Sequence, residues 1–481
     1  MNYKLVLRVT GFALLLEAAC LLLPTLVAVI YREDPMPFLW SILILVVVGA
    51  ALSLLLKGRT SSNLLPRDGF LTVGLIWTLF GVFGALPFRF SGLFGNFVNC
   101  FFECISGFTT TGSSILTDVE ALSSGILFWR SFSHWIGGMG VLVFLLAFTG
   151  GKGQGFTMHL LRAESPGPNV GKLVPKMRTT ATILYVIYIV MTIINIIFLL
   201  LGDMPLFDAV CTALGTAGTG GFGIKNDSMA SYSPYIQNVT TVFMALFGIN
   251  FSCYHLLLLR QVKSVFKDEE LRLYLGLIFG AIVLITINLG DFYPTLGETI
   301  RHAAFQVSTI ITTTGFATTD FDLWPAFSKS ILVCLMLVGA SAGSTGGGLK
   351  CARLLLLMKS LARNIRQTIN PKKVLVVRNN GQVVDEKILS NCSAYFAAYM
   401  IIMFVSFMVV SLDDFTIGTN FTAVVACFNN IGPGLEAVGP TCNFSAYSDL
   451  SKLVLSFDML AGRLEIFPIL ALLSPKIWKN K

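Results

Sequence analysis

The sequence predicts an all-α integral membrane protein with four pseudo-symmetric repeats around one pore and an additional pair of N-terminal transmembrane helices. Three observations support this prediction: the composition, the number of long apolar segments, and a motif that recurs four times. Of the 481 residues, 54% are hydrophobic and only 12% are charged, and the mean hydropathy is +0.76. Because soluble chains carry about 25% charged residues, this composition excludes a soluble enzyme, a disordered scaffold and a nucleic-acid-binding protein.

The chain contains about ten segments long enough to cross a bilayer, which requires about 20 apolar residues. The first run is too long for the core of a signal peptide and no cleavage site of small residues follows it, so it is interpreted as a membrane helix. The ten segments lie at about 5–30, 38–56, 70–90, 126–149, 179–201, 236–259, 271–289, 327–358, 389–412 and 450–473.

The charges between these segments predict the orientation of the chain. With ten spans, the basic loops share one side, which is therefore expected to be cytoplasmic together with both termini. The loops on that side are 57–68, 150–178, 260–272, 350–388 and the C-terminal end. The loops on the other side are acidic. Their acids are either ordinary loop charges or an electronegative vestibule that concentrates cations.

Four repeats follow the N-terminal helix pair. Each contains a full span, a shorter apolar segment, a turn that ends in glycine, and a second full span. The short segments cannot cross a bilayer and are therefore predicted to be re-entrant helices; they lie at about 96–108, 205–217, 299–311 and 417–429. The predicted units are 1–57 for the helix pair and 66–150, 175–262, 268–362 and 385–481 for the repeats, the third with an intramembrane gate loop.

The four turns are the candidate ion site. Non-helical backbone at membrane depth must be buried in protein or line a water-filled cavity, and the final glycine permits a positive φ. Four sets of inward carbonyls can then replace the hydration shell of a monovalent cation. The turns contain no carboxylate, which argues against Ca²⁺ and favours K⁺. The predicted K⁺-binding residues are Thr110, Thr111, Gly112, Thr219, Gly220, Gly221, Thr313, Thr314, Gly315, Asn430, Ile431 and Gly432. Four unrelated hairpins are the alternative.

A run of small residues interrupts the span 327–358. Its ten residues, 339–348, include five glycines, each of which costs a helix about 1 kcal/mol relative to alanine. The run predicts a flexible loop below the turns that acts as a gate, although close packing between helices is the alternative. The predicted gate residues are Gly343, Ser344, Thr345, Gly346, Gly347, Gly348, Lys350 and Arg463.

Several buried charges are expected within the spans. Arg463 lies near the middle of the last span, so it should face the bundle interior or water; it either repels cations below the turns or pairs with Glu465 or Asp458. Glu103 and Arg130 form an ion pair behind the turns or lie on an inert outer rim. Glu17 is expected to pair within the N-terminal helices, and Lys350 to snorkel or to pair with an acid.

Four stretches together resemble a known family. They read Ser106–Gly112 (SGFTTTG), His134–Gly140 (HWIGGMG), Ala342–Lys350 (AGSTGGGLK) and Gly462–Glu465 (GRLE). The chain resembles the superfamily of K⁺ transporters that comprises the Trk, Ktr and HKT proteins, and within it the Trk-type potassium-uptake proteins TrkH and TrkG of bacteria. The resemblance implies K⁺-selective uptake across the inner membrane of a bacterium, a homodimer, and a cytosolic ring of TrkA-like (RCK) nucleotide-binding subunits that controls the gate.

The chain itself is expected to bind no cofactor, because it contains neither a GxxxxGK[ST] motif nor a soluble βαβ pattern. Its histidines show no metal-ligand spacing and its cysteines no CxxC, so metal ions other than K⁺ are not expected. A K⁺:H⁺ or K⁺:Na⁺ symporter remains an alternative, with Glu17, Asp458 and Glu465 as candidate intramembrane carboxylates. An intramembrane serine protease is not expected, since Ser341 and Ser344 have no evident histidine base.

Overall fold

The computed structural model of the chain describes residues 3–54, 66–140 and 177–475. The described part contains twenty α-helices, which we number in chain order. They are α1 Tyr3–Cys20, α2 Leu22–Ile30, α3 Met36–Leu54, α4 Pro66–Gly84, α5 Leu86–Ser91, α6 Phe97–Phe108, α7 Ser124–Met139, α8 Met177–Leu200, α9 Leu206–Gly218, α10 Pro234–Phe247, α11 Phe251–Leu258, α12 Val262–Lys267, α13 Glu269–Leu289, α14 Leu296–Ile311, α15 Ala326–Val338, α16 Cys351–Ile369, α17 Glu386–Val410, α18 Ile417–Phe428, α19 Asp449–Arg463 and α20 Phe467–Leu473.

The other regular elements of the described part are short. Four 3₁₀ turns lie at Gly290–Phe292, Phe321–Leu323, Ser411–Asp413 and Glu436–Val438. One antiparallel hairpin joins β1 Arg378–Asn379 to β2 Gln382–Val383, with Arg378 opposite Val383 and Asn379 opposite Gln382. The described structure is thus mostly helical, as the sequence predicts.

Among the described residues, six helical segments are long and apolar enough to span a membrane, and a bent pair of helices provides up to a seventh. The six are Tyr3–Ile30, Met36–Leu54, Arg67–Ser91, Thr182–Leu200, Glu269–Phe292 and Glu386–Asp413. They include the N-terminal pair and the first span of each repeat. The remaining predicted spans are the second spans of the repeats, and three of them, 236–259, 327–358 and 450–473, are divided in the described residues.

The predicted continuous span 236–259 is wrong. Helices α10 and α11 meet at a bend of 88°, where Asn250 caps α11 by accepting a hydrogen bond from the amide of Ser252 at 2.9 Å. The bend leaves the carbonyl of Gly248 free to accept a hydrogen bond from the amide of Ser341 at 3.1 Å. A periodicity analysis finds only the apolar run, because the partner that stabilises the bend lies about 90 residues away in sequence.

The last two spans of this kind are also divided. The span 327–358 stops at Val338 and resumes at Cys351. The span 450–473 breaks between α19 and α20, where Glu465 and Ile466 both have positive φ, at 55° and 68°. The lower part of the span 126–149, the basic loops at 57–65 and 150–176, and Lys476, Lys479 and Lys481 lie outside the described residues.

The four short segments form helices α6, α9, α14 and α18, of 12, 13, 16 and 12 residues. Side chains cap three of them by accepting an amide hydrogen bond in the first turn: Asn96 for α6, Thr295 for α14 and Thr416 for α18. Such caps satisfy amides that a helix leaves unpaired. Each of the four helices carries one predicted turn at its C-terminal end, so their packing determines where the turns meet.

Candidate functional site

The four turns share one backbone conformation. The second residue of each turn is left-handed, with φ between 55° and 59°, and the final glycine has a φ between 72° and 104°. The amide of the third residue donates to the carbonyl five residues earlier, at 2.8 to 2.9 Å. The donor and acceptor pairs are Thr111 and Ser106, Gly220 and Gly215, Thr314 and Thr309, and Ile431 and Ala426. The shared bond shows that Gly221, rather than Gly220, is equivalent to Gly112.

The turns also contact one another in a closed ring. A Cβ atom at Gly112 would overlap the carbonyl oxygen of Gly220, and one at Gly221 would overlap that of Thr314. A Cβ at Gly315 would likewise overlap the carbonyl of Ile431. The fourth turn returns to the first, because a Cβ at Gly432 would lie 2.8 Å from the carbonyl of Thr111. Only glycine permits this backbone-to-backbone approach.

The same four glycines line one cavity of about 210 Å³. Its walls come from the segments that follow the turns, and among the described lining residues the charged ones are Arg130 and Lys225. The described lining contains no carboxylate, so it gives no support to the electronegative vestibule considered above. Asp118 and Glu120 instead bind Asn226 of the second repeat, at 2.9 and 3.0 Å.

Uncharged oxygens surround the ring. The Thr109 and Thr111 hydroxyls are 2.8 Å apart, as are those of Thr312 and Thr314. In the fourth turn, Asn430 replaces threonine, and its side-chain amide donates to the Thr111 hydroxyl at 3.0 Å. Asn430 thus links the last turn to the first. The ring is consequently similar, but not identical, in its four quarters.

The segment 339–350 lies against this ring. The amide of Gly347 donates to the Thr313 hydroxyl at 2.6 Å. A Cβ at Gly346 would lie 2.9 Å from the carbonyl of Thr312, and one at Gly347 would lie 2.5 Å from that of Asn429. The small residues therefore let the segment press against the third and fourth turns, and we call residues 339–350 the gate loop.

Arg463 joins the gate loop to the first repeat. Its guanidinium donates to the carbonyl of Thr345 at 2.7 Å, to the carbonyls of Gly137 and Gly138 at 2.5 and 2.6 Å, and to the Thr110 hydroxyl at 3.3 Å. Planar guanidinium groups suit such multiple acceptors because their donors point in fixed directions. The side chain faces the bundle interior, as its position in the span predicts.

The alternative partners considered for Arg463 are engaged elsewhere. Glu465 forms an ion pair with Arg353 of α16, and Asp458 accepts a hydrogen bond from Ser406 at 2.7 Å. Lys350 neither snorkels nor pairs with an acid among its described hydrogen bonds; it is buried and donates to the carbonyl of Gly346 within the gate loop. Arg463 and Lys350 therefore both donate hydrogen bonds to backbone carbonyls of the gate loop.

Behind the first two turns, the predicted Glu103–Arg130 ion pair is confirmed. The two side chains are buried and 2.8 Å apart. Glu103 also accepts the amide of Ile115 at 3.0 Å, and Arg130 donates to the carbonyl of Gly223 at 3.2 Å. The pair thus holds the segments that leave turns one and two. Its position in the interior excludes the inert outer rim.

Sequence reasoning missed the role of His134. One ring nitrogen lies 2.8 Å from the carbonyl of Gly107 in α6, and the other accepts the amide of Phe222 at 3.2 Å. The histidine therefore joins α6 to the segment that follows the second turn. The sequence feature that could have indicated this role is the motif at 134–140, which begins with His134.

The prediction for Glu17 is wrong. Both of its carboxylate oxygens are buried without a hydrogen-bond partner in the described structure. The side chain lies beside Gly84 of α4, where a Cβ would be 2.8 Å from it, rather than between the N-terminal helices. Glu17 therefore lies in the packing contact between the N-terminal helix pair and the first repeat.

The apolar helices, the re-entrant segments and the buried ring together define a multi-pass membrane transport protein. A family model described as "TrkH: Cation transport protein" matches residues 36–480. The chain therefore belongs to the TrkH family of cation transport proteins.

Curated relatives and a solved structure match over the full chain. The chain is 35% identical to the Trk system potassium uptake protein TrkH of Salmonella typhimurium, with 100% of both chains covered. It is 31% identical to the Trk system potassium uptake protein TrkG of Escherichia coli, covering 100% of this chain and 99% of TrkG. The crystal structure of the potassium transporter TrkH from Vibrio parahaemolyticus superposes with a TM-score of 0.89 at 32% identity, again over 100% of both chains.

Proposed function

We propose that the protein takes up K⁺ across the inner membrane of a bacterium through a channel-like pore, with the ring of four turns as its selectivity filter. One observation carries the proposal: four turns of equal backbone conformation close into a ring whose oxygens are uncharged. Backbone carbonyls of this kind can replace the water around a dehydrated K⁺ ion. The names of the full-length relatives, which are potassium uptake proteins, support the same ion.

The four short helices add a favourable field. Each precedes its turn, so its C-terminal end points to the ring, and the macrodipole places about half a negative charge there. A monovalent cation is attracted without the strong binding that formal charges would produce. This balance allows the ion both to enter and to leave.

The gate loop and Arg463 close the pathway on one side of the filter in this conformation. The loop contacts two of the turns, and Arg463 holds it to a third through Thr345 and Thr110. A fixed positive charge at that position also repels cations. Opening then requires the loop and the guanidinium to move away from the axis.

We assign the control of this movement to a partner. The proposed assembly is a homodimer with a cytosolic ring of TrkA-like (RCK) subunits, which bind the nucleotide. The basic loops support a cytoplasmic location for both termini, following the positive-inside rule.

A second candidate is a K⁺:H⁺ symporter. Both oxygens of Glu17 and one of Asp458 are buried without a hydrogen-bond partner in the described structure. A carboxylate in such surroundings is costly to ionise, and intramembrane acids mark proton pathways in many transporters. This observation keeps coupled transport as the alternative to a passive pore.

Uptake of radioactive rubidium into proteoliposomes tests both candidates. We expect uptake driven by a K⁺ gradient alone, inhibited by K⁺ much more than by Na⁺, and equal with and without a pH gradient. Protein-free liposomes provide the background. Absence of Rb⁺ and K⁺ flux would overturn the filter proposal, whereas accumulation driven by a pH gradient alone would establish the symporter.

A further inference from the structure

Glu270, the second residue of α13, contacts the gate loop and the helix that follows the loop. One of its carboxylate oxygens accepts the amide of Ala342 at 2.5 Å and the amide of Ala352 at 3.1 Å. Ala342 belongs to the loop and Ala352 to the first turn of α16. Amides in a first helical turn have no partner within the helix, and a negative charge there is favoured by the macrodipole. Glu270 therefore fixes the loop to the helix that follows it.

The two residues before Glu270 are held by the hairpin. Asn380, in the turn of the hairpin, has a φ of 49° and is followed by Gly381, the pair that favours a tight two-residue turn. Its side-chain oxygen accepts the amide of Glu269 at 2.9 Å, and its nitrogen donates to the carboxylate of Asp268 at 2.8 Å. The hairpin thus binds the start of α13 through two hydrogen bonds.

A second connection runs parallel to the first. Glu269 forms an ion pair with Lys359 of α16, and the same ammonium donates to the carbonyl of Arg378 in the hairpin at 2.8 Å. The hairpin, the start of α13, α16 and the gate loop are consequently joined by hydrogen bonds between charged groups and backbone. Bonds of this type are about twice as strong as neutral ones.

We propose that Glu270 is a positioning residue for the gate loop and that the hairpin 378–383, through Asn380, determines where Glu270 stands. A change in the position of the hairpin would then move Glu270 and, through it, the gate loop. The proposal depends on the proposed function only in treating the loop as a gate. Spatial continuity does not by itself demonstrate coupling, so the test uses a residue that is remote from the loop.

Hydrogen exchange of the full-length protein in lipid nanodiscs, followed by mass spectrometry of peptides covering 339–352, measures the loop directly. We expect Glu270→Ala to speed exchange in these peptides about tenfold, since two amides lose a charged acceptor. Glu270→Gln retains an acceptor oxygen and should give a smaller increase. Asn380→Ala should also speed exchange of the loop, by about threefold, although no described hydrogen bond joins it to the loop.

Gln382→Ala is the matched control, because Gln382 lies in the same hairpin with an exposed side chain. Unchanged loop exchange in Glu270→Ala would overturn the role of Glu270. Asn380→Ala that alters only the exchange of the hairpin itself would overturn the coupling. If Glu270→Ala does not fold, Glu270→Gln and Asn380→Ala decide the result. Exchange requires no transport, so a failure of K⁺ uptake in the flux assay remains a separate outcome.

Discussion

Single glycines decide how closely the four turns approach one another. Gly112, Gly221, Gly315 and Gly432 each have a positive φ and leave no room for a Cβ atom against the next turn. Both properties exclude other residues, because L-amino acids rarely adopt this conformation and their Cβ atoms would displace a carbonyl. The close approach of the four turns, and hence the size of the ring, therefore depends on the lack of a Cβ atom at these positions.

Gly315→Ser is expected to reduce discrimination between K⁺ and Na⁺ by about tenfold. Its Cβ would displace the carbonyl of Ile431, and overpacking of about 1–3 kcal/mol is enough for such a change, since 1.4 kcal/mol corresponds to a factor of ten. The ratio of rubidium to sodium uptake in proteoliposomes measures it. Gly280→Ser is the control, because nothing lies within 4 Å of that position. A wild-type ratio in Gly315→Ser would refute the filter assignment.

Arg463→Ala is expected to raise basal K⁺ flux about tenfold. The substitution removes the donor to Thr345 and the fixed charge beside Thr110, and a hydrogen bond from a charged group contributes about 1.5–3 kcal/mol. Rubidium flux without any partner subunit is the measurement. Arg463→Lys retains the charge but fewer donors and should be intermediate. Equal or lower flux in the alanine variant would remove the blocking role.

Helix ends, rather than helix lengths, organise the elements around the ring. The carbonyl of Gly248 in the bend between α10 and α11 binds Ser341 of the gate loop, and that of Gly343 accepts the amide of Phe251 at 3.0 Å. Helices α6 and α7 are joined by Glu103 and Arg130, which hold the exits of two turns. The break between α10 and α11 is therefore occupied by the gate loop.

Glu103→Ala is expected to destabilise the protein by about 3–5 kcal/mol, because it leaves the buried charge of Arg130 without its carboxylate. The midpoint of thermal unfolding in detergent, followed by size-exclusion chromatography, should fall. The double variant Glu103→Leu with Arg130→Met removes both charges and should recover much of the loss. A single variant as stable as the parent would show that the pair does not support the filter segments.

At the scale of the whole molecule, four repeats that are similar in backbone differ in what holds them together. A buried ion pair lies behind turns one and two, whereas Asn430 links turn four to turn one. The two sides of the ring also differ. The cavity is lined by the final glycines of the turns and the residues that follow them, whereas the gate loop and Arg463 contact the first two residues of the turns. The orientation of the chain in the membrane is therefore expected to determine whether the gate loop or the cavity faces the cytoplasm.

Labelling of Cys442 tests that orientation. Cys442 lines the cavity and is exposed, and Cys334 of α15 is the other exposed thiol among the described cysteines. A membrane-impermeant maleimide should label Cys442 in intact spheroplasts, where the acidic loops face outwards. The Cys442→Ser variant shows how much of the signal belongs to this thiol. Labelling confined to inverted vesicles would reverse the assignment of both termini to the cytoplasm.

Much of the architecture could be predicted from local patterns. The short helices α6, α9 and α18 lie within a residue or so of the predicted segments, whereas α14 begins three residues earlier, at Leu296. Three of the predicted second spans are divided rather than continuous. The bend at 248–250 is held by hydrogen bonds to Ser341 and Gly343 of the gate loop, and Glu465 in the break at 464–466 pairs with Arg353 of α16. The contacts of Glu17 and Glu270 could not be predicted either, because hydrophobic periodicity reports only on residues that are close in sequence.

Local patterns in the chain specify the membrane class, the four repeats and the positions of the turns, because hydropathy, segment length and glycine placement act over a few neighbouring residues. Packing between distant segments brings the turns into a ring, directs Arg463 to carbonyls instead of Glu465, and sets Glu270 against the gate loop. These are contacts between residues more than 70 positions apart in sequence, and only the packing of helices brings such groups within hydrogen-bonding distance.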